Sequence, residues 1–184
     1  MDELGSRWSY EWNKRTGKRL EAIRIRLTGE LANHYDIYYR VHAQSFGWMG
    51  WAKNGEAAGT ARYAKRLEAI QIIVEPGYGV GVEYRTHIQS KGWEKTWKKD
   101  GETSGTSGEA KRLEAIQIRL TGNNADLYDV YYRVHAQTYG WMGWVKNGEP
   151  AGTAGQAKRL EAIQIIIVQK WESPVYMYNA SGES

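Results

Sequence analysis

The sequence predicts an all-β fold, repeat-built and closed on itself. Three observations carry this expectation. The string Lys-Arg-Leu-Glu-Ala-Ile occurs four times, starting at Lys18, Lys65, Lys111 and Lys158, so the chain is periodic at 46–47 residues. Apolar residues alternate with polar ones within each period, the pattern of a half-buried strand. Asn-Gly or Asp-Gly turns punctuate the periods, and no window sustains a helical repeat. The preferred architecture is a pseudo-symmetric closed array of four units of about 46 residues, a propeller- or barrel-like ring. A β-prism or β-trefoil-like three-fold arrangement, with one unit as an appendage, is the alternative. The whole chain, 1–184, reads as a single repeat-built domain. Its units span about 6–36, 37–79, 80–129 and 130–168, with 169–184 as closing strand and tail.

Units two, three and four open on a strand. In Ile37–Gln44, Tyr39, Val41 and Ala43 fall on one face, and Tyr38, Arg40, His42 and Gln44 on the other. A pair of tryptophans follows: Trp8/Trp12, Trp48/Trp51, Trp93/Trp97 and Trp141/Trp144. Their spacing alternates between four and three, which one regular strand cannot accommodate, so the segment reads as a corner or bulge. Next comes the turn Lys53-Asn54-Gly55-Glu56, repeated as Lys99-Asp100-Gly101-Glu102 and Lys146-Asn147-Gly148-Glu149. A second glycine signal stands at Gly59, Gly105 and Gly152. The closing strand carries the repeated string. In its first copy Ile23, Ile25 and Leu27 face one way, Arg24 and Arg26 the other. Residues 18–51 and 111–144 align without gaps, 26 of 34 being identical, so the array reads as a duplicated pair of units.

The ends differ from the middle. The first unit lacks the Arg-x-His-x-Gln strand, and its hairpin is short. The tail contains Val175-Tyr176-Met177-Tyr178, similar to Val130-Tyr131-Tyr132-Arg133. The expectation is that the tail supplies the missing strand and removes an open edge.

Composition narrows the function. The absence of cysteine excludes disulfide frameworks and thiolate chemistry. The net charge of +4 comes from interspersed charges of both signs and no nucleic-acid motif is present, so no nucleic-acid partner is expected. No apolar run is long enough for a membrane helix, and Met1–Arg15 has no apolar stretch of the signal-peptide kind. With 9 Trp and 13 Tyr against 1 Phe, nearly every aromatic has a polar handle, which suits rings that pack and also meet a ligand.

The tryptophan pairs are the sharpest candidates. Indole faces stack on the apolar faces of sugar rings while amides bond the hydroxyls. The expected ligand-binding residues are Trp48, Trp51, Gln44 and Asn54, and their counterparts Trp141, Trp144, Gln137 and Asn147. Against this stands a core role for at least one ring of each pair. The repeated Glu21, Glu68, Glu114 and Glu161 read as buried structural carboxylates on the side of Ile23, bonded to hairpin N–H groups or to an arginine. His42, His87 and His135 read as structural histidines, since nothing local completes a metal shell. The lysines between Lys91 and Lys99 read as solvated strand ends. No catalytic triad, phosphate loop or metal-spaced acid cluster stands out, so the expectation is a non-enzyme without catalytic residues, metal or cofactor.

The pattern R-x-H-x-Q-x-x-G-W-x-x-W-x-x-N-G-x-x-A-G-T-x-G-Q-x-x-R-L-E-A-I-x-I, complete over Arg133–Ile165, resembles the ChW repeat, the clostridial hydrophobic repeat marked by tryptophan. The resemblance runs from about Trp8 to Val168. It implies a secreted or cell-surface bacterial protein with a non-catalytic role in cell-wall binding or adhesion, carbohydrate binding first, protein assembly as the alternative. The four-residue spacing at Trp8/Trp12 and Trp93/Trp97, and Arg7 before Trp8, depart from the pattern.

Overall fold

The computed structural model describes residues 22–27, 30–60, 65–75 and 79–171. The expected Trp8/Trp12 pair, Glu21 and the closing strand at Val175–Tyr178 lie outside them. The described chain is all-β apart from one short helix, α1 (Glu30–His34), and a 3-10 turn, Ala125–Leu127.

Three units repeat one plan. In unit two, β2 (Ile37–Ala43) pairs antiparallel with β3 (Gly47–Trp48), with β4 (Ala52–Lys53) and with the long β6 (Leu67–Val74). Between β4 and β6 lies the two-residue β5 (Ala58–Gly59). Unit three repeats this as β7 (Gly81–Ile88), β8 (Gly92–Trp93), β9 (Lys98–Lys99), β10 (Ser104–Gly105) and β11 (Leu113–Thr121). Unit four repeats it as β12 (Tyr128–Ala136), β13 (Gly140–Trp141), β14 (Val145–Lys146), β15 (Ala151–Gly152) and β16 (Leu160–Gln169). Three sheets result, of five, five and six strands, where four units had been expected. The first unit supplies only β1 (Ala22–Leu27) among the described residues. β1 joins unit four's sheet parallel to β16, with Arg24 opposite Gln164.

The units are stitched by their short strands. β10 pairs with β6 of the unit before it, β15 pairs with β11, and β5 pairs with β1. The tight turns add a second stitch. Asn54 and Gly55 take φ of 45° and 93°, the pair of positive values that an Asn-Gly hairpin turn needs. The Glu56 carboxylate accepts the Lys53 N–H, and the Gly55 N–H then reaches back to the Ile25 carbonyl at 2.7 Å. Gly101 and Gly148 reach Ile72 and Ile118 in the same way.

The alternation read from the sequence is the alternation observed. Ile23, Ile25 and Leu27 are buried while Arg24 and Arg26 are exposed, and Tyr39, Val41 and Ala43 enter the core. Tyr39, Tyr84 and Tyr132 are the largest fully buried side chains. Each hydroxyl donates to a turn carbonyl, of Glu56, Glu102 and Glu149 respectively, so a polar group at the centre is satisfied. Burial pushes the Tyr132 phenol from 10.0 up to about 12. The folded state therefore keeps a proton that the unfolded chain releases above pH 10, and stability falls as pH rises through 10–12. Tyr132→Phe is expected to make this alkaline decline shallower, measured as urea midpoints across that pH window.

Candidate functional site

The outward face of each long hairpin carries a strip of alternating rings and cations. It is built by two side-chain periods. On β2, Tyr38 and Arg40 point outward between the buried Ile37, Tyr39 and Val41. On β6, Gln71 and Ile73 do the same. The Arg40 Nε donates to Gln71 Oε1, and Arg85 and Arg133 bond Gln117 and Gln164 at 2.7 Å each. That glutamine aims the guanidinium along the sheet.

The tryptophans close on the arginine from both sides. Arg40 Cζ stands 4.9 Å from the Trp48 ring and 4.6 Å from the Trp51 ring. Arg133 stands 4.9 and 4.8 Å from Trp141 and Trp144. Arg85 stands 5.7 and 4.8 Å from Trp93 and Trp97. Each contact is worth about 0.5–1 kcal/mol at an exposed site. Unshifted elements explain why both spacings work. The first ring always pairs with the histidine, as in His42 opposite Trp48 and His87 opposite Trp93. The second always directly precedes the short strand paired to the middle of the hairpin, as Trp51 precedes β4 and Trp97 precedes β9. The residues between lie outside any strand, so an extra one is absorbed there. Units two, three and four thus share one geometry despite the spacing difference.

Among the described paired tryptophans Trp51 is the most exposed, at 43%, while Trp48, Trp93, Trp97, Trp141 and Trp144 are half-buried. The Trp144 Nε1 is buried with no hydrogen-bond partner among the described residues. The expected amide partners do not gather around the rings. Asn54 Oδ1 accepts the Ile37 N–H at 3.1 Å and its Nδ2 donates to Asp36, so this amide locks the turn. Asn147 does the same with Val130 and Asp129. Gln44 lies past the other end of β2, its N–H on the Arg66 carbonyl, and Gln137 is placed likewise on Arg159. Gln44 lies seven residue steps beyond Ile37 along the strand, roughly 23 Å, so Gln44 and Asn54 cannot flank one sugar ring.

Other polar groups stand where those amides were expected. Lys53 lies over the Tyr38 ring at 5.9 Å and reaches the Asp36 carboxylate at 3.2 Å, and Tyr38 donates to the same carboxylate. The Asn54 amide, followed by Lys53, holds the Asp36 carboxyl below its ordinary range, and Asp36 in turn raises Lys53. Unit four repeats this as Asp129, Tyr131, Lys146 and Asn147. No site role was expected for Asp36, Lys53, Asp129 or Lys146, although Asp-x-Tyr-Tyr-Arg recurs in both units.

The repeated glutamates are structural, by a route the alternation did not predict. A bulge at Leu67/Ala69 leaves Glu68 as the extra residue and turns it toward the His42 side of the sheet. Its carboxylate, 4% exposed, meets Arg66 at 3.0 Å and His42 Nδ1 at 3.3 Å. Glu114 meets Arg112, His87 and the Gly155 N–H; Glu161 meets Arg159 and His135. Of the three histidine contacts, that of His135 alone is aligned as a hydrogen bond, whereas the arginines all donate to their glutamates. Each histidine also stands edge-on to the first tryptophan, at 5.5–5.6 Å, and so supports the strip from below.

Unit three has diverged inside. Where units two and four have Val, Met and Ala, it has Thr86, Glu94 and Ser104. Glu94 accepts from the Thr86 N–H and hydroxyl, the Ser104 hydroxyl and the Gly105 N–H, so this internal acid is fully satisfied. Among the described residues no group of three His, Cys, Asp or Glu could hold a metal ion, and no helix is long and apolar enough to cross a membrane.

The family described as Clostridial hydrophobic W, ChW, matches residues 42–76, 87–122 and 135–169. The chain belongs to the ChW family. The matched segments start at the histidine of each described hairpin and run through its long closing strand, so a ChW repeat contains both tryptophans, the turn and the bulged glutamate. The expected fourth copy, in unit one, is not matched. Comparisons with curated proteins and with solved structures returned no match.

Proposed function

We propose that this ChW array is a non-catalytic carbohydrate-binding module of the bacterial cell surface or cell wall, and that sugars stack on its outward strips. The observation that carries this reading is Trp51, an indole 43% exposed on a scaffold that fixes its angle. Arg40 stacks on it, Gln71 holds Arg40, and Lys53 with Asp36 stands beside it. A fixed ring beside a short polar cluster is the arrangement that orients a pyranose, apolar face to the indole and hydroxyls to the charges. Rings held before binding lose little freedom on contact.

The same reading extends to the architecture. We infer a ring of three-fold pseudo-symmetry; the links β5 to β1, β10 to β6 and β15 to β11, each from one unit to a neighbouring sheet, support it. The strips then face outward from a common core and can engage a repeating polymer at more than one point.

Titration calorimetry with tetra-N-acetylchitotetraose and with soluble cell-wall fragments tests the function. Each site is expected to bind weakly, in about the micromolar-to-millimolar range. Trp51→Ala with Trp144→Ala should abolish the heat in a protein that keeps its melting temperature. Undiminished binding in that variant, or binding only to partner proteins, would contradict the carbohydrate reading.

A further inference from the structure

We propose that the strips of units two and four are open to ligand and that Arg119, held by Glu83, closes the strip of unit three. The inference rests on the carbohydrate reading for its ligand, and on ring contacts alone for the closure. Trp97 carries two guanidinium groups. Arg85 stands 4.8 Å from its ring, as the equivalent arginines do in the other units, and Arg119 stands 4.1 Å from it. Arg119 is no loose surface chain. Its Nε donates to Glu83 Oε2 at 2.8 Å, and a second guanidinium nitrogen lies 2.6 Å from the same carboxylate. An arginine pinned at one end and stacked at the other blocks the surface a sugar ring would need.

The neighbouring units lack this device. Glu83 and Arg119 are opposite one another on β7 and β11. The pair in that place is Tyr38 and Ile73 in unit two, and Tyr131 and Ile166 in unit four. Ion pair has replaced aromatic and aliphatic side chains at both positions together. The aspartate of the polar cluster has gone as well. Asp36 and Asp129 correspond to Gly81, and the lysine that stacks on tyrosine in units two and four is Lys99, opposite Glu83. Unit three therefore keeps both tryptophans about its arginine and keeps the lysine as Lys99, but has exchanged the aspartate and the tyrosine of the candidate sugar site for Gly81 and Glu83. The ligand class is a neutral pyranose chain, met by one indole and one phenol ring in sequence along β2 or β12, with a carboxylate and an ammonium for its hydroxyls.

Oxidation of the intact protein by N-bromosuccinimide, resolved by peptide mass spectrometry, tests the closure without any sugar. The reagent attacks the indole C2–C3 bond from the ring face, so it reads face access. Trp97 is expected to react several-fold more slowly than Trp51. It is expected to gain several-fold in Glu83→Tyr/Arg119→Ile, which installs the unit-two pair, and in Arg119→Met, which keeps an unbranched apolar stem but removes the guanidinium. Trp97 as reactive as Trp51 in the native protein, or no gain in either variant when folded, would overturn the closure. Calorimetry with tetra-N-acetylchitotetraose then reads the ligand side. The native protein is expected to bind about two chains and the double variant about three. Three equal sites in the native protein would overturn the proposal. Sugar binding in neither protein, with Trp97 unmasked in the variant, would remove the carbohydrate reading and leave the closure standing.

Discussion

Replacing Glu114 by alanine is expected to lower stability by about 3 kcal/mol, because it strands buried charge and buried donors together. The carboxylate is 4% exposed and takes Arg112 at 3.0 Å, His87 at 3.2 Å and the Gly155 N–H at 3.1 Å. Those partners come from its own strand, from the neighbouring strand and from the next unit, so one acid ties three segments. With the acid gone, the Arg112 guanidinium faces a site that water enters poorly. Glu114→Gln restores one acceptor but not the charge, and is expected to fall between. Urea denaturation followed by tryptophan fluorescence measures both. A loss below about 0.5 kcal/mol for Glu114→Ala would mean that water already screens the pair.

Gly152→Ala is expected to cost as much or more, about 3 kcal/mol or above, by breaking a stitch between units. Gly152 sits at φ +124°, which side chains rarely adopt, and a Cβ there would lie 2.5 Å from the Glu114 carbonyl oxygen and 2.7 Å from the Ala115 Cα. Both neighbours are backbone of β11, the strand that β15 pairs with, so neither can step aside without opening the pairing. Gly143→Ala is the control. It meets open space, and its midpoint is expected to stay within about 0.5 kcal/mol. Equal effects of the two substitutions would show that the close approach of β15 to β11 does not hold the units together.

Much of the fold was legible because it is repetitive and alternating. Period-two burial in β1, β2 and β6 follows from side chains pointing to opposite faces, and the Asn-Gly turns from the need for two positive φ values. What the sequence concealed is what depends on neighbours distant along the chain. Nothing local says that Ala58–Gly59 pairs with β1 rather than within its own unit, nor that β16 accepts β1 in parallel, because pairing partners are set by the whole sheet. The bulge at Leu67/Ala69 inverts the side on which Glu68 stands, and strict alternation places it wrongly for that reason.

The candidate site divides in the same way. The tryptophans were evident as a repeated pair, but the role of Arg40 between them depends on Gln71, thirty-one residues later, bonding its Nε. Asn54 and Asn147 attract attention as exposed amides, yet a turn residue with φ near 45° and both amide groups engaged belongs to the backbone's needs. Gln44 and Gln137 precede the rings closely in sequence and stand far from the turn in space, since a strand carries residues apart at about 3.3 Å each.

The most direct measurement is a nuclear magnetic resonance titration of the indole N–H signals, assigned by single Trp→Phe substitutions, with tetra-N-acetylchitotetraose added to the intact protein. The signals of Trp51 and Trp144 are expected to shift together and saturably, those of Trp48 and Trp141 to follow weakly through the shared arginines, and those of Trp93 and Trp97 to stay in place. Shifts confined to Trp93 and Trp97, or no indole shift while the sugar demonstrably binds, would contradict a ligand site on the outward aromatic strips.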